Sequence, residues 1–139
     1  MNRKSIYYIV DDDPDDQQFL IDALTHNDPD IHCYSANNGK EAFDNLERAI
    51  IPLPDAIFLD LNMPQRSGKQ CLADLQRNSL LRQIPVIIYS TTSQEQEIRE
   101  TLNLGASYFM IKKSNFKELT NELLLITSSL NRLISDQKL

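Results

Sequence analysis

Short, densely apolar runs alternate along the chain with longer stretches whose apolar residues recur every three or four positions. The first pattern fits strands buried on both faces, the second helices with one apolar side. Residues 5–10 form the first apolar run, which stops at Asp11. Asp13 followed by Pro14 is an N-cap before a preset first helical residue, and Phe19, Leu20, Ala23 and Leu24 then repeat at helical spacing. Residues 31–36 read as a weaker strand. Gly39 opens a helix with Ala42, Phe43, Leu46 and Ile50 on one face, and Pro52 and Pro54 break it.

Residues 56–60 read as a third strand, apolar until Asp60. After Pro64 and Gly68, a helix is marked by Cys71, Leu72 and Leu75. Pro85 leads into a fourth strand, Val86, Ile87, Ile88 and Tyr89, ending at Ser90. Ser93 suits the cap of a polar helix with Ile98 and Leu102 as its apolar residues, and Gly105 suits its end. Residues 107–111 make a fifth strand closed by Lys112, and a last helix begins near Ser114 or Asn115.

Five such units predict an α/β fold, a doubly wound parallel sheet with helices on both faces. Ligands of such sheets bind outside the carboxyl ends of the strands. The residues at those ends are Asp11, Asp12 and Asp13, then Asp60 with Asn62, then Ser90 with Thr91, then Lys112 with Lys113. Crowded carboxylates resist ionisation unless a cation offsets their repulsion. Mg²⁺ takes a few such oxygens together with a phosphate oxygen. The lysine and the hydroxyls suit the other oxygens of a phosphoryl group. The chemistry is that of a Mg²⁺ site that accepts or holds phosphate.

These residues, in this order and spacing, resemble the response-regulator receiver domain of bacterial two-component signalling. The matching stretches are Val10-Asp11-Asp12-Asp13, Phe58-Leu59-Asp60-Leu61-Asn62-Met63-Pro64 with Gly68, Ile88-Tyr89-Ser90-Thr91, and Gly105-Ala106-Ser107 leading to Lys112. The resemblance implies a flavodoxin-like (βα)5 sheet of order 2-1-3-4-5. It implies Asp60 as phospho-acceptor, and Asp11, Asp12, Asp60 and the backbone carbonyl of Asn62 as Mg²⁺ ligands. It implies Lys112 paired with Asp60 and then with the phosphoryl group, Ser90 as the hydroxyl that meets a phosphoryl oxygen, and Phe109 as the aromatic switch. The phosphoryl donor would be a histidine kinase or phosphotransfer protein. The stretch from Arg77 to Ser93 is also similar to stand-alone receivers that include partners of cyanobacterial phytochromes.

Two departures stand out. The family usually has proline after the lysine, often with a cis bond, whereas here Lys113 follows. Thr91 occupies a position that is often alanine, where a larger side chain would hinder water reaching Asp60. Asp13, Asp15 and Asp16 have a simpler reading as acids at a helix N-terminus. His26 and His32 read as surface residues.

The sequence has 139 residues with 14 basic and 20 acidic side chains, a net charge of −6. One domain covering residues 1–139 is expected, and the acid excess argues against nucleic acid as partner. Cys33 and Cys71 lack metal-type spacing and read as buried thiols of a cytoplasmic protein. No apolar run reaches the roughly 20 residues of a membrane span. In the last helix, expected over about residues 114–135, Phe116, Leu119, Leu123, Ile126, Leu130 and Ile134 recur at helical spacing, while Leu124, Leu125 and Leu133 widen the apolar face. Its distal half is a candidate homodimer surface.

The expectation is a stand-alone response regulator, not an enzyme beyond the formation and loss of its own phosphate. A pseudo-receiver that binds partners without phosphorylation is one alternative, but such proteins usually lose an acidic residue or the lysine. A Mg²⁺-dependent phosphohydrolase is another, but its second aspartate would stand where Asn62 is.

Overall fold

The computed structural model describes residues 4–63 and 67–137, with side chains in the last helix described as far as Leu130. The strands are β1 (Ile6–Val10), β2 (His32–Ala36), β3 (Ala56–Leu59), β4 (Val86–Ser90) and β5 (Tyr108–Ile111). The helices are α1 (Pro14–Asn27), α2 (Gly39–Glu47), α3 (Gly68–Arg77), α4 (Glu95–Asn103) and α5 (Phe116–Gln137), and a 3₁₀ turn covers Leu81–Gln83. All strand pairs are parallel, in the order β2-β1-β3-β4-β5. This is the flavodoxin-like arrangement expected from the sequence.

The central strands β1, β3 and β4 are apolar almost throughout because both faces are covered, whereas the edge strand β2 carries the exposed His32 and Ser35. Alternation sends Tyr8, Val10, Ile57, Leu59, Val86 and Ile88 into one core with Ala42, Leu46, Cys71, Leu72 and Leu75 of α2 and α3. Tyr7, Ile9, Phe58, Ile87 and Tyr89 enter the other, against Leu20, Ala23 and Leu24 of α1 and Leu119, Leu123, Ile126 and Leu130 of α5. Cys71 belongs to the first core and Cys33 packs at the edge of the second, so the two thiols lie on opposite faces of the sheet. His26 and His32 are exposed, as expected.

Local chemistry sets the helix ends. The Asp13 side chain accepts from the Asp15 and Asp16 amides, with Pro14 at the first helical position. Ser67 and Gln70 form a reciprocal capping box on α3. Asn115 accepts from the Glu118 amide at the start of α5. Gly105, at φ +116°, closes α4 in a Schellman motif, its amide donating to Leu102 O and that of Ala106 to Thr101 O.

Three local expectations are corrected. Ile50 does not share the face of α2. That helix ends in a second Schellman motif, with the Ala49 amide on Leu46 O, the Ile50 amide on Asn45 O, and Ala49 itself at φ 56°. The turn throws Ile50 out to 63% exposure. Ser93 does not cap α4: Gln94 holds that position without a side-chain cap bond. Leu102 is exposed and the buried residue of α4 is Thr101, whose hydroxyl donates to the helix's own carbonyls at Glu97 and Ile98.

α4 therefore contributes no side chain to either apolar core among the described residues. It is tied to α3 by Lys69, whose ammonium pairs with Glu97 and, at 2.7 Å, with Glu100. α5 runs to Gln137, so the long last helix is present. The side chains of Leu133 and Ile134 lie outside the described residues, as does Pro64.

Candidate functional site

The register of the sheet builds the site. Val10 of β1 is level with Leu59 of β3, so the next residues, Asp11 and Asp60, leave the sheet side by side where the strand order reverses. Their amides are held by the Ala36 and Val10 carbonyls at 3.1 and 2.9 Å. Carboxylate oxygens of Asp11, Asp12 and Asp60 all lie within 4.8 Å of one another. Asp11 and Asp60 are buried and Asp12 is exposed. Burial pushes the Asp60 carboxyl up to about 6; Lys112 and the Asn62 amide oppose this, while the charges of Asp11 and Asp12 add to it. Burial also raises Asp11, against the Asp13 amide 3.0 Å from its Oδ1 and against Lys112.

Lys112 arrives from the far side of the sheet. Ser90 is level with Ile111, and the Lys112 amide donates to Ser90 O at 2.7 Å. Its Nζ lies 2.8 Å from Asp16 Oδ2, 2.9 Å from Asp11 Oδ2 and 3.7 Å from Asp60 Oδ2, and 5.5 Å from the centre of the Tyr89 ring. Burial works against its charge, but the carboxylates of Asp16, Asp11 and Asp60 hold the ammonium above the ordinary lysine range. The lysine thus stands near Asp60, with Asp16 and Asp11 as its nearest partners. No cis peptide bond occurs among the described residues, so the Lys112–Lys113 bond is trans. Lys113 turns away to Glu122, at 3.8 Å.

The remaining expected residues are placed as follows. Asn62 is exposed in the loop after β3, and its backbone amide favours the ionised form of Asp60. Ser90 is fully buried at the end of β4, and its Oγ accepts from the Thr92 amide at 3.3 Å. Thr91 is exposed. Phe109 is half-buried on β5, packed against the core shared with α2 and α3.

Three contributors were not read from the sequence in these roles. Asp16 is the closest partner of Lys112, although its position at a helix N-terminus is enough to explain an acid there. Gln17 is buried, and its amide donates to the Asp11 carbonyl, to Ala36 O and to Asn37 Oδ1, locking the end of β1 to that of β2. The signal was a polar residue in helical register with Leu20 and Leu24. At Gly68, a Cβ would lie 2.3 Å from Asp60 O and 2.6 Å from Leu61 Cα, so glycine lets α3 start directly against the Asp60 loop.

The donor set fits a divalent cation. It consists of hard carboxylate oxygens, which Mg²⁺ and Mn²⁺ prefer. Asp11 Oδ2 is buried with no well-aligned hydrogen bond among the described residues, and Lys112 Nζ stands 2.9 Å from it.

The family described as response regulator receiver domain matches residues 8–124. Response regulator Rcp1 of Synechocystis sp. is 26% identical over 122 residues, covering 85% of this chain and 83% of that protein. The Mn²⁺-bound structure of Rcp1 superposes with a TM-score of 0.79, covering 89% of this chain and 92% of that one. The phosphorylated cyanobacterial phytochrome response regulator RcpA superposes with a TM-score of 0.81 at 26% identity, covering 89% and 91%. Protein-glutamate methylesterase/protein-glutamine glutaminase 2 of Carboxydothermus hydrogenoformans is 34% identical over 84% of this chain, which spans only 33% of that enzyme. The chain belongs to the response-regulator receiver family.

Proposed function

We propose, with membership of the receiver family as the premise, that this protein is a response regulator that takes a phosphoryl group onto Asp60. The donor is a phosphohistidine of a histidine kinase or phosphotransfer protein. The observation that carries this reading is the convergence of the Asp11, Asp12 and Asp60 carboxylates with the Lys112 ammonium at the carboxyl edge of the sheet.

In the reaction an Asp60 carboxylate oxygen attacks phosphorus, the P–N bond breaks, and its electron pair returns to the imidazole. With its carboxyl pushed up to about 6, Asp60 is mostly ionised at neutral pH and so competent to attack. The close approach at Gly68 packs the start of α3 against the loop that carries it. Lys112, within 4 Å of Asp60, supplies fixed positive charge for the phosphoryl oxygens. Ser90, at the end of β4, supplies the hydroxyl partner, and Phe109 follows that hydroxyl as the switch. Asp11, Asp12, Asp60 and the Asn62 carbonyl would hold Mg²⁺, which offsets the charge of carboxylates and phosphoryl oxygens when bound.

Output passes through protein contacts on α4, β5 and α5, in a cytoplasmic protein that forms one domain over residues 1–139. The net charge of −6 disfavours nucleic acid, and among the described residues no helix is long and apolar enough to cross a membrane. β5 is an edge strand with Tyr108 and Ile111 exposed, and Leu125 of α5, 73% exposed, lines the same surface hollow as Tyr108. These side chains also make a second copy of the chain a candidate partner through the last helix. The similarity to RcpA, a cyanobacterial phytochrome response regulator, favours a phytochrome-type kinase as donor.

The test is incubation with Mg²⁺ and a small phosphodonor such as acetyl phosphate, read by intact mass. One added phosphoryl group that is lost in Asp60→Asn is expected. No addition would overturn this reading in favour of a pseudo-receiver, and steady turnover of a phosphate ester would instead make the protein a phosphohydrolase.

A further inference from the structure

We propose that Asp16 is a positioning residue that parks the Lys112 ammonium beside the carboxylate cluster, clearing Asp11 for a cation and holding the lysine back from Asp60. The proposal rests on the site reading above. Lys112 Nζ is shared between Asp16 Oδ2 at 2.8 Å and Asp11 Oδ2 at 2.9 Å, with Asp60 at 3.7 Å. Asp11 belongs to the cation cluster and Asp16 does not. A dication placed among Asp11, Asp12 and Asp60 repels the ammonium, which needs a carboxylate outside the cluster to retreat to. Asp16 is that carboxylate, on the first turn of α1 and anchored there because its amide bonds the Asp13 cap. The contact of Lys112 with Asp16 is the shorter and better aligned of the two, at 2.8 Å against 2.9 Å for Asp11. The Tyr89 ring lines the lysine's other flank.

Asp16 thus acts with opposite sign on the two occupants of the site. It favours the cation, and it competes with a phosphoryl group for Lys112. Its side chain is 40% exposed and makes no capping hydrogen bond, so Asp16→Asn removes one first-turn charge from α1 and is expected to leave the fold intact.

The test measures Mg²⁺ affinity by calorimetry, and retention of beryllofluoride at saturating Mg²⁺, for the wild type, Asp16→Asn and Asp16→Glu. Each is made with Lys112 and with Lys112→Met. Asp16→Asn is expected to weaken Mg²⁺ and strengthen beryllofluoride by roughly three- to tenfold, the scale of one half-exposed charged contact. Asp16→Glu is expected to restore both. In the Lys112→Met background the effect of Asp16→Asn on Mg²⁺ is expected to vanish. An equal effect in both backgrounds would show a simple field effect of the charge and overturn the proposal, as would no effect with Lys112 present. If the wild type binds no beryllofluoride, the phospho-acceptor reading fails, while the Mg²⁺ cycle still decides the role of Asp16.

Discussion

Replacing Asp60 by asparagine should stabilise the metal-free protein at neutral pH. The carboxyl is 6% exposed beside Asp11 and has Lys112 only at 3.7 Å. Its pKa rises from 3.8 to about 6, with burial as the main cause. A raised carboxylate pKa means that the fold favours the protonated form, so the contribution to stability is fully present below about pH 4 and lost as pH rises through 6. Two units at about 1.36 kcal/mol each set an upper bound of about 3 kcal/mol on the cost of the charged group at pH 7. That shift already includes the attraction to Lys112 that the asparagine forfeits, and the amide is itself a polar group to bury, so a net gain of about 1–3 kcal/mol is expected.

For a domain of this size that is a rise in Tm of roughly 3–10 °C. Urea unfolding in EDTA from pH 4 to 8 would check it. The advantage of the variant should be largest above pH 7 and shrink through the window from 6 to 4. Adding Mg²⁺ should also narrow the gap at pH 7.5, since the cation stabilises mainly the wild type. A variant no more stable than wild type at pH 7.5, or a gap that ignores pH, would refute the reasoning.

Other outcomes follow from single features. Ala49→Gly should raise stability by about 0.5–1 kcal/mol in chemical denaturation, since φ 56° strains an alanine and the gain exceeds the added chain entropy of glycine. Gly68→Ala should cost about 1–3 kcal/mol by overpacking against the Asp60 and Leu61 backbone, and should slow phosphorylation by acetyl phosphate. Lys69→Gln should speed amide exchange in α4 while leaving β1 and β3 protected, because α4 adds no side chain to either core and leans on that lysine. Gln17→Leu keeps the volume but leaves the Asp11 and Ala36 carbonyls short of a donor; a loss of about 1–3 kcal/mol and a weaker Mg²⁺ titration are expected.

Much of the architecture was legible in the chain because the signals are local. Apolar runs that end abruptly in Asp11, Asp60 and Lys112 gave both the strands and the edge where chemistry gathers. Asp13 with Pro14, and Gly105 at its positive φ, mark helix ends by rules that need no tertiary information. Where these local signals mislead, a specific competitor explains it. Ile50 continues the periodicity of α2 on paper, yet Ala49 adopts a left-handed turn that ends the helix first. Leu102 is the apolar choice for α4, yet Thr101 is buried because its hydroxyl bonds back to its own helix.

The sequence by itself determined the order of elements, the sheet class and the identity of the carboxylates at the strand ends, because periodicity and capping act over a few residues. Only the tertiary structure decided how Lys112 divides its charge. Its closest partner, Asp16, is 96 positions away in the chain. From the sequence that acid is fully accounted for by the start of a helix. A long cationic side chain chooses among competing carboxylates by distance and burial, and those quantities exist only once β1, β3 and β5 have brought Asp11, Asp60 and the lysine to one edge of the sheet, with α1 presenting Asp16 beside them.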